Sequence, residues 1–214
     1  MRYLIVCGGK IDKEFGLNEI KTDGIDAIIA ADSGMDFLYE NGVTPDIIVG
    51  DFDSATTKAL DFFERKGQTE IHRLNPIKDD TDTEYAIRLA ISEGARSIVL
   101  LGATGSRIDH VLGNISLLGI GLESKADISI IDTNNRIRMA DKPVTIEKSA
   151  QYGRFVSLIA VTDDNEVSLR GFKYPVTDYS FDRSTSLGIS NEIIDGHAVI
   201  DIHRGKFIII ESKD

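Results

Sequence analysis

Short apolar runs alternate with amphipathic stretches along the first two-thirds of the chain. The apolar runs predict strands at 3–7, 26–31, 46–50, 70–74, 97–102 and 128–132. Between them, apolar positions at helical spacing predict helices at 35–41, 56–67, 83–94 and 107–121. This alternation is typical of an α/β domain with a mostly parallel, doubly wound sheet. The run SIVLLG (97–102) is apolar on both faces, as expected for a strand that helices cover on each side.

The pattern changes near residue 140. After Pro143, apolar and polar residues alternate with a period of two, as in 166–171 and 198–203. A turn at Gly205 then leads into KFIII (206–210), which predicts a hairpin. No stretch of helical spacing follows. We therefore expect two domains: an α/β domain at 1–142 and a small antiparallel β-sandwich at 143–214.

Composition limits the classes of partner. The chain has 214 residues, enough to bury roughly 70% of its unfolded surface without a disulfide or a structural metal. It carries 35 acidic and 24 basic residues, a net charge of -11, and no cluster of lysine and arginine. Because the phosphate backbone repels such a surface, we expect no nucleic-acid partner. An anionic small molecule would need a local cation or free backbone amides.

The cysteine and histidine content argues against metal–thiolate chemistry. Cys7 lies in an apolar run without a basic neighbour, so we expect an unreactive, buried strand residue and a cytoplasmic protein. The four histidines form no i, i+4 pair, which argues against a zinc site. The N-terminal apolar run is too short for a signal peptide, and no run approaches a membrane span, so we expect no membrane association.

Polar motifs follow the predicted strands one after another. Ligands of open α/β sheets bind beyond the carboxyl ends of the strands, so these motifs are expected to meet at one edge. They are Gly8-Gly9, ADSG (31–34), GDFDS (50–54), IKDDTDTE (77–84) and GATGSRIDH (102–110).

GDFDS places Asp51 and Asp53 at alternate positions directly after a strand. If that backbone is extended, both carboxylates face the same way and can share one hard cation such as Mg²⁺. The alternative is an Asx-type turn in which Asp53 or Ser54 caps the next helix. The acidic cluster at 79–84, expected at the same edge, favours the metal interpretation.

GATGSRIDH combines two glycines with Thr104, Ser106 and Arg107 and then opens a helix. Backbone amides and a helix N-terminus form an anion site, to which Arg107 adds a planar cation. The Gly-Lys-Ser/Thr ending of a P-loop is missing, and a tight strand-to-helix turn is the alternative interpretation. Acids that hold a cation beside an anion pocket indicate chemistry on a metal–polyphosphate complex.

Taken together, the motifs resemble the thiamine pyrophosphokinase (thiamine diphosphokinase) family over nearly the whole chain. Relatives from bacteria more often have Asp-Gly-Gly where this chain has Asp32-Ser33-Gly34. The landmarks appear in the family's order: ADSG, TPDIIVGDFDS, KDDTDTEYA, LLGATGSRIDHVLGN, GFKYP and STSLGISNE.

The resemblance implies a reaction and an assembly. It implies transfer of the pyrophosphoryl group of ATP to the hydroxyethyl group of thiamine, which gives thiamine diphosphate and AMP with magnesium as cofactor. It also implies a homodimer, with thiamine bound between the α/β domain of one chain and the β domain of the other.

The resemblance also assigns roles to residues. The expected metal ligands are Asp51, Asp53, Asp79 and Asp82; the expected ATP-binding residues are Asp32, Asp51, Thr104, Gly105 and Arg107; and the thiamine side is expected to include Lys78, Ser190 and Asn191. Many relatives place a tryptophan against thiamine, and this chain has none. Tyr174, Tyr179 or Phe181 could take its place, and the resemblance leaves the choice open.

The expected catalytic residues are Asp82, Arg107 and Asp109. Magnesium and Arg107 would neutralise charge on the phosphoryl groups, and Asp82 or Asp109 would orient the thiamine hydroxyl or accept its proton. Thr81 and Glu84 have capping-box spacing, whereas Asp80 is expected to be solvated.

Two rival functions come from other classes. A phosphatase of the haloacid dehalogenase type would use a D-x-D pair directly after its first strand. In this chain the D-x-D pair follows the third predicted strand, which argues against that class. A module that senses nucleotide or thiamine would bind both ligands without turnover.

Overall fold

The structure, a computed structural model, describes residues 1–52, 57–75 and 80–214. The chain forms two compact units, Met1–Thr133 and Asn134–Asp214. Within the described residues, no helix is both long and apolar enough to cross a membrane.

The first unit alternates strands and helices as the sequence predicts. Its six described strands form a sheet of order β6-β5-β1-β2-β3-β4, and every neighbouring pair is parallel. The elements are β1 (Arg2–Val6), α1 (Lys13–Ile20), β2 (Ala27–Ala31), α2 (Gly34–Glu40), β3 (Ile47–Gly50), α3 (Thr57–Lys66), β4 (Glu70–Arg73), α4 (Asp82–Ser92), β5 (Ser97–Leu101), α5 (Ile108–Leu117), α6 (Gly119–Ser124) and β6 (Asp127–Ile131).

Both faces of this sheet are covered. Leu4 and Val6 of β1 pack in one cluster with Met35 of α2 and Phe63 of α3. Ile5 alternates with them and is also fully buried, because α4 contacts β1, β2 and β3. The prediction of a doubly wound parallel sheet is therefore confirmed, and the apolar strands are explained by burial on two sides.

Helix α1 has no counterpart among the sequence predictions. Asp12 caps it, accepting a hydrogen bond from the amide of Phe15 at 2.9 Å. Gly16 interrupts its pattern, and a Cβ there would lie 2.6 Å from Ile11 and 2.7 Å from Phe37. The glycine that hides the helix in the sequence therefore allows it to pack closely.

The second unit contains two antiparallel sheets that share one core, which confirms the small β domain. Their strand orders are β12-β9-β14-β7 and β11-β10-β13-β8. The only helical segment described in this unit is a 3₁₀ turn at Lys148–Ala150. The strands are β7 (Asn135–Ala140), β8 (Val144–Glu147), β9 (Phe155–Ala160), β10 (Glu166–Arg170), β11 (Val176–Ser180), β12 (Asn191–Glu192), β13 (His197–Arg204) and β14 (Phe207–Ser212).

The second unit begins nine residues before the boundary expected at 142/143, at Asn134. The additional residues include strand β7, which pairs along its whole length with β14 at the other end of the unit. Local pattern does not reveal this pairing, because the two partners are separated by most of the second unit.

The hairpin predicted at Gly205 is wrong. β13 pairs with β10 and β8, whereas β14 pairs with β7 and β9, so Gly205 carries the chain from one sheet to the other. Residues from both strands, including Ile200 and Ile209, are buried in the shared core. Period-two alternation is typical both of two strands in facing sheets and of two strands in one hairpin. The tertiary packing determines which of the two arrangements forms.

Substitution of Gly205 by alanine is expected to destabilise the protein by about 1–3 kcal/mol. Gly205 has φ +86, and a Cβ there would lie 2.6 Å from the carbonyl oxygen of Asp164. Gly196→Ala is the control, because a Cβ at Gly196 meets no atom of the described residues within 4 Å and its backbone is not left-handed. Urea denaturation of both variants checks the difference, and equal midpoints would contradict it.

Candidate functional site

Three loops meet at the carboxyl edge of the parallel sheet. A Cβ on Gly8 would collide with the hydroxyl of Ser33, and one on Gly9 would collide with the carbonyls of Gly102 and Thr104. The amide of Gly9 donates to the carbonyl of Gly102 at 2.8 Å. The glycines after β1 therefore let the loops after β2 and β5 close around the central strand.

These loops surround a cavity of about 700 Å³ within the first unit. This volume falls in the usual range for small-molecule sites, about 300–1,000 Å³. The lining residues are Cys7–Lys10, Ala31–Ser33, Thr81–Glu84, Gly102–Arg107, Asp109–Val111, Gly113, Asn114 and Leu117. The predicted gathering of the motifs at one edge is therefore observed for those that the structure describes.

Three carboxylates come together beside the cavity. Asp32 follows β2, Asp51 follows β3 and Asp82 opens α4, and one oxygen from each lies within 4.8 Å of the others. Thr81 fixes the start of α4 by accepting the amide of Glu84 at 3.2 Å. Carboxylate oxygens in this number are ligands for a hard divalent cation such as Mg²⁺.

The electrostatics of Asp32 are those expected of a cation site. Burial raises the pKa of Asp32, the amide of Ser33 opposes this, and the negative charges of Asp82 and Asp51 raise it further. One of its oxygens, Oδ1, is buried without a hydrogen-bond partner in the part of the chain that the structure describes. The residues present therefore fit a metal ion, which would supply the missing charge and ligand contact.

The backbone around these acids is not extended. Phe52, directly after Asp51, has φ 60, and Asp32 has φ 50. We assumed an extended segment from Asp51 to Asp53. Phe52 lies between them and is left-handed, so this assumption is wrong. Asp53, Asp79 and Lys78 lie outside the described residues.

Asp32→Asn is expected to stabilise the ligand-free protein at pH 7 while it weakens metal-dependent binding. The folded-state pKa of Asp32 is raised, so its ionised form costs stability once the pH exceeds the ordinary carboxyl range of about 4. The advantage of the variant should therefore vanish as the pH falls into that range. Urea midpoints of both proteins from pH 4 to pH 8 measure this, and an advantage that does not change with pH would contradict it.

The loop after β5 forms the other side of the cavity. The hydroxyl of Thr104 donates to Asp132 at 2.9 Å, and Asn114 donates to the carbonyl of Ala103 at 2.8 Å. Arg107 occupies the N-cap position of α5 without capping it through its side chain. The start of α5 therefore presents backbone amides beside the cavity, as an anion site requires.

Arg107 and Asp109 bind each other. Their side chains form an ion pair at 2.7 Å, and both are largely exposed. The hydrogen bond from Arg107 lowers the pKa of Asp109 to about 2. Asp109 is consequently ionised throughout the physiological range and is a weak base.

Glu84 completes only part of the predicted capping box. Its amide donates to Thr81, but its carboxylate accepts two hydrogen bonds from Arg88, at 2.9 and 2.7 Å. The N-cap is confirmed, and the side chain of Glu84 instead forms an i, i+4 pair along the helix. Asp80 is exposed, as predicted.

Cys7 lines the cavity and accepts a hydrogen bond from Thr83 at 3.7 Å. Burial raises the pKa of its thiol to about 12. The prediction of a buried cysteine is confirmed, although Cys7 lies one residue beyond β1 and not within it. Its lack of reactivity stays a prediction.

In the second unit, the side chain of Asn191 holds the backbone of Tyr174. Its amide donates to the carbonyl of Tyr174 at 2.9 Å, and its oxygen accepts the amide of Tyr174 at 3.1 Å. Ser190 has φ 59, and its amide donates to Ser157 at 3.0 Å. The buried side chain of Asn191 therefore fixes the backbone of the loop that carries Tyr174.

The three candidate aromatic residues differ in exposure. Phe181 is 4% exposed and packs edge-on against Phe207, so it belongs to the core. Tyr179 is 39% exposed and Tyr174 is 61% exposed. Tyr174 therefore has the ring with the most surface free for a ligand.

Two features of the site were missed from the sequence. The first is that Asp32, an expected ATP-binding residue, joins Asp51 and Asp82 in the carboxylate group; its position directly after a strand was the available signal. Asp132 follows β6 at the same edge and orients Thr104, and the pattern SIID (129–132) was the signal there.

Comparison with known proteins agrees with this arrangement. Two family models match: "Thiamin pyrophosphokinase, catalytic domain" at 21–130 and "Thiamin pyrophosphokinase, vitamin B1 binding domain" at 143–207. The thiamine pyrophosphokinase of Bacillus subtilis is 35% identical over 188 residues, which cover 87% of each chain.

Solved structures show the same fold. A crystal structure of thiamine pyrophosphokinase from Bacillus subtilis superposes with a TM-score of 0.89 at 32% identity and covers 100% of both chains. The thiamin pyrophosphokinase of Candida albicans, at 20% identity and a TM-score of 0.81, covers 99% of this chain and 88% of its own and shares the fold. From the family models and the Bacillus subtilis relative, this chain belongs to the thiamine pyrophosphokinase family.

Proposed function

We propose that this protein transfers the pyrophosphoryl group of ATP to thiamine. In this reaction the thiamine hydroxyl oxygen forms a bond to the β-phosphorus and loses its proton. The bond between the β-phosphorus and the oxygen that bridges it to the α-phosphorus breaks, and AMP leaves with that oxygen. The observation that carries the proposal is the group of Asp32, Asp51 and Asp82 beside a cavity in the unit that matches the catalytic-domain model.

Asp32, Asp51 and Asp82 are the described residues that would hold Mg²⁺. The unpartnered, buried oxygen of Asp32 supports this assignment. Asp53 and Asp79 remain predicted members of the metal site. A bound magnesium ion would neutralise charge on the polyphosphate and thereby favour attack by the thiamine hydroxyl.

The phosphate groups would bind at the loop after β5. The backbone amides of Thr104 and Gly105, which line the cavity, would donate to the phosphates, and Arg107 adds charge that matches phosphate geometry. Because Thr104 donates its hydroxyl to Asp132, its contribution to ATP would come through its backbone.

Neither candidate for the proton acceptor is a strong base. The pKa of Asp109 is about 2 because Arg107 donates to it, and a carboxylate bound to a metal is also a poor base. We therefore assign Asp109 to orienting Arg107, and Asp82 to the metal and to positioning the thiamine hydroxyl. Loss of the proton then accompanies bond formation.

The second unit would bind thiamine. It matches the vitamin B1 binding model, and Asn191 brackets the loop with the exposed ring of Tyr174. We propose that this ring stacks on thiamine in place of a tryptophan, and that Ser190 and Lys78 complete the thiamine side. The exposure of Tyr174, in contrast to the buried Phe181, supports the choice.

We propose a cytoplasmic homodimer with a thiamine site shared between chains. Supporting this, no residue of α5 is buried in the single chain, and Ile108 and Leu112, one turn apart, are 67% and 60% exposed. Exposed apolar surface of this kind is typical of a protein interface. Sedimentation of the wild type and of Leu112→Glu tests the dimer, and a fully active monomer at micromolar concentration would contradict the shared site.

The decisive assay mixes the purified protein with ATP, magnesium and thiamine and follows AMP and thiamine diphosphate. Formation of both products in equal amounts is the expected result. Rapid hydrolysis of p-nitrophenyl phosphate without thiamine would favour the phosphatase. Binding of ATP and thiamine without AMP would favour the sensing module.

A further inference from the structure

The cavity beside the acid cluster has the wrong charge for its proposed ligand. Among the described lining residues, carboxylates outnumber permanent cations. The carboxylates are those of Asp32, Asp82, Glu84 and Asp109, and the cations are those of Lys10 and Arg107. A metal ion would offset the charge near Asp32 and Asp82, but the loop after β5 needs positive charge of its own to hold a polyphosphate.

Most charges on this lining already have partners. Arg107 is paired with Asp109 at 2.7 Å, and Glu84 is paired with Arg88 at 2.7 Å. Among the described residues, no acidic group forms an ion pair with the ammonium group of Lys10. Among the lining residues and partners that the structure describes, Lys10 is therefore the cation that an anionic ligand can engage without first breaking an ion pair.

The backbone holds Lys10 where the phosphates are expected. Its amide donates to the carbonyl of Thr104 at 3.2 Å, and the preceding Gly9 donates to Gly102 at 2.8 Å. Lys10 thus leaves the central strand already attached to the glycine-rich loop after β5. Its side chain is exposed and lines the cavity.

We propose that Lys10 is a further ATP-binding residue, which binds the polyphosphate from the side of the loop after β5. The inference rests on the proposed function and names a residue of the same site. A lysine ammonium donates up to three hydrogen bonds and suits phosphate as a compact charge on a flexible stem. Because Asp109 neutralises the charge of Arg107, Lys10 supplies positive charge that this pair does not offer to the phosphates.

Lys10→Gln is expected to raise the KM for Mg-ATP and the Kd for inorganic tripolyphosphate about tenfold, the loss of one hydrogen bond between charged groups. The kcat and the KM for thiamine should change much less. Because the contact is ionic, the gap between variant and wild type should narrow as salt rises. Lys10→Arg should recover most of the affinity for tripolyphosphate. The Kd for adenosine, which lacks phosphate, should be the same in Lys10→Gln and the wild type.

The matched control is Lys13→Gln, which removes the same charge three residues later on the exposed surface of α1, outside the cavity lining. Calorimetric titration with tripolyphosphate and steady-state kinetics compare all three variants with the wild type. If the enzyme is active and Lys10→Gln and Lys13→Gln change the affinity for tripolyphosphate equally, the role of Lys10 is overturned and the proposed function stands. A wild type that neither binds tripolyphosphate nor forms AMP would overturn the proposed function and this inference with it.

Discussion

Replacement of Asp82 by asparagine is expected to lower turnover by about a thousandfold, with the fold intact. Asp82 contributes one of the three oxygens that lie within 4.8 Å of one another, and it stands at the first position of α4 beside the cavity. Asparagine preserves the shape of the side chain but removes the charge that would bind the metal. Because the helix start is held by Thr81, the substitution does not remove the N-cap.

The measurement is the rate of AMP and thiamine diphosphate formation at saturating ATP, magnesium and thiamine. Asp80→Asn serves as the control: it is the same chemical change two residues earlier, at an exposed position away from the cavity lining. Circular dichroism should be unchanged for both variants. Near-normal turnover by Asp82→Asn would remove Asp82 from the catalytic and metal residues.

Glu211→Gln is expected to destabilise the second unit by about 3–5 kcal/mol, the usual effect of breaking a buried ion pair. Glu211 is fully buried on β14 and accepts hydrogen bonds from Arg136 at 2.7 and 2.9 Å and from Arg138 at 3.0 Å. It also accepts the amide of Tyr152 at 2.9 Å. A neutral side chain leaves two partly buried guanidinium groups of β7 without their counter-charge.

Hydrogen exchange of the β14 amides measures this effect in the affected unit, and urea denaturation gives the total change. Glu147→Gln is the control, since Glu147 is exposed on β8. The expected result is much faster exchange in Glu211→Gln and little change in the control. Equal protection in both would show that the network contributes no net stability.

The parallel sheet and the location of the site could be predicted because their signals are local. A strand buried on both faces must be apolar throughout, and a chain that ends several such strands with polar motifs brings those motifs to one edge. On this basis the sequence indicated that Asp51, Asp82 and Arg107 lie near one cavity. It did not indicate that Asp32 joins the acids, because the distance between loops after neighbouring strands depends on how β2 and β3 pair and on the left-handed backbone at Asp32.

The errors have the same origin. Gly205 was predicted to close a hairpin, yet the chain crosses between sheets there, because alternation specifies which side chains are buried and leaves the hydrogen-bond partner open. Strand β7 was missed because its partner is the last strand of the chain. Helix α1 was missed because Gly16, which its packing requires, weakens the helical pattern.

The sequence by itself therefore determined the order and type of most elements, the two-unit organisation, the family resemblance and the chemical character of the site. Periodicity, caps and turn residues act over a few positions, so a single chain carries them in readable form. Only the tertiary structure decided which carboxylates lie close together, which strand pairs with which, and which cation on the cavity lining has no ion-pair partner among the described residues. Those outcomes depend on distances between residues remote in sequence, and packing of the whole chain sets those distances.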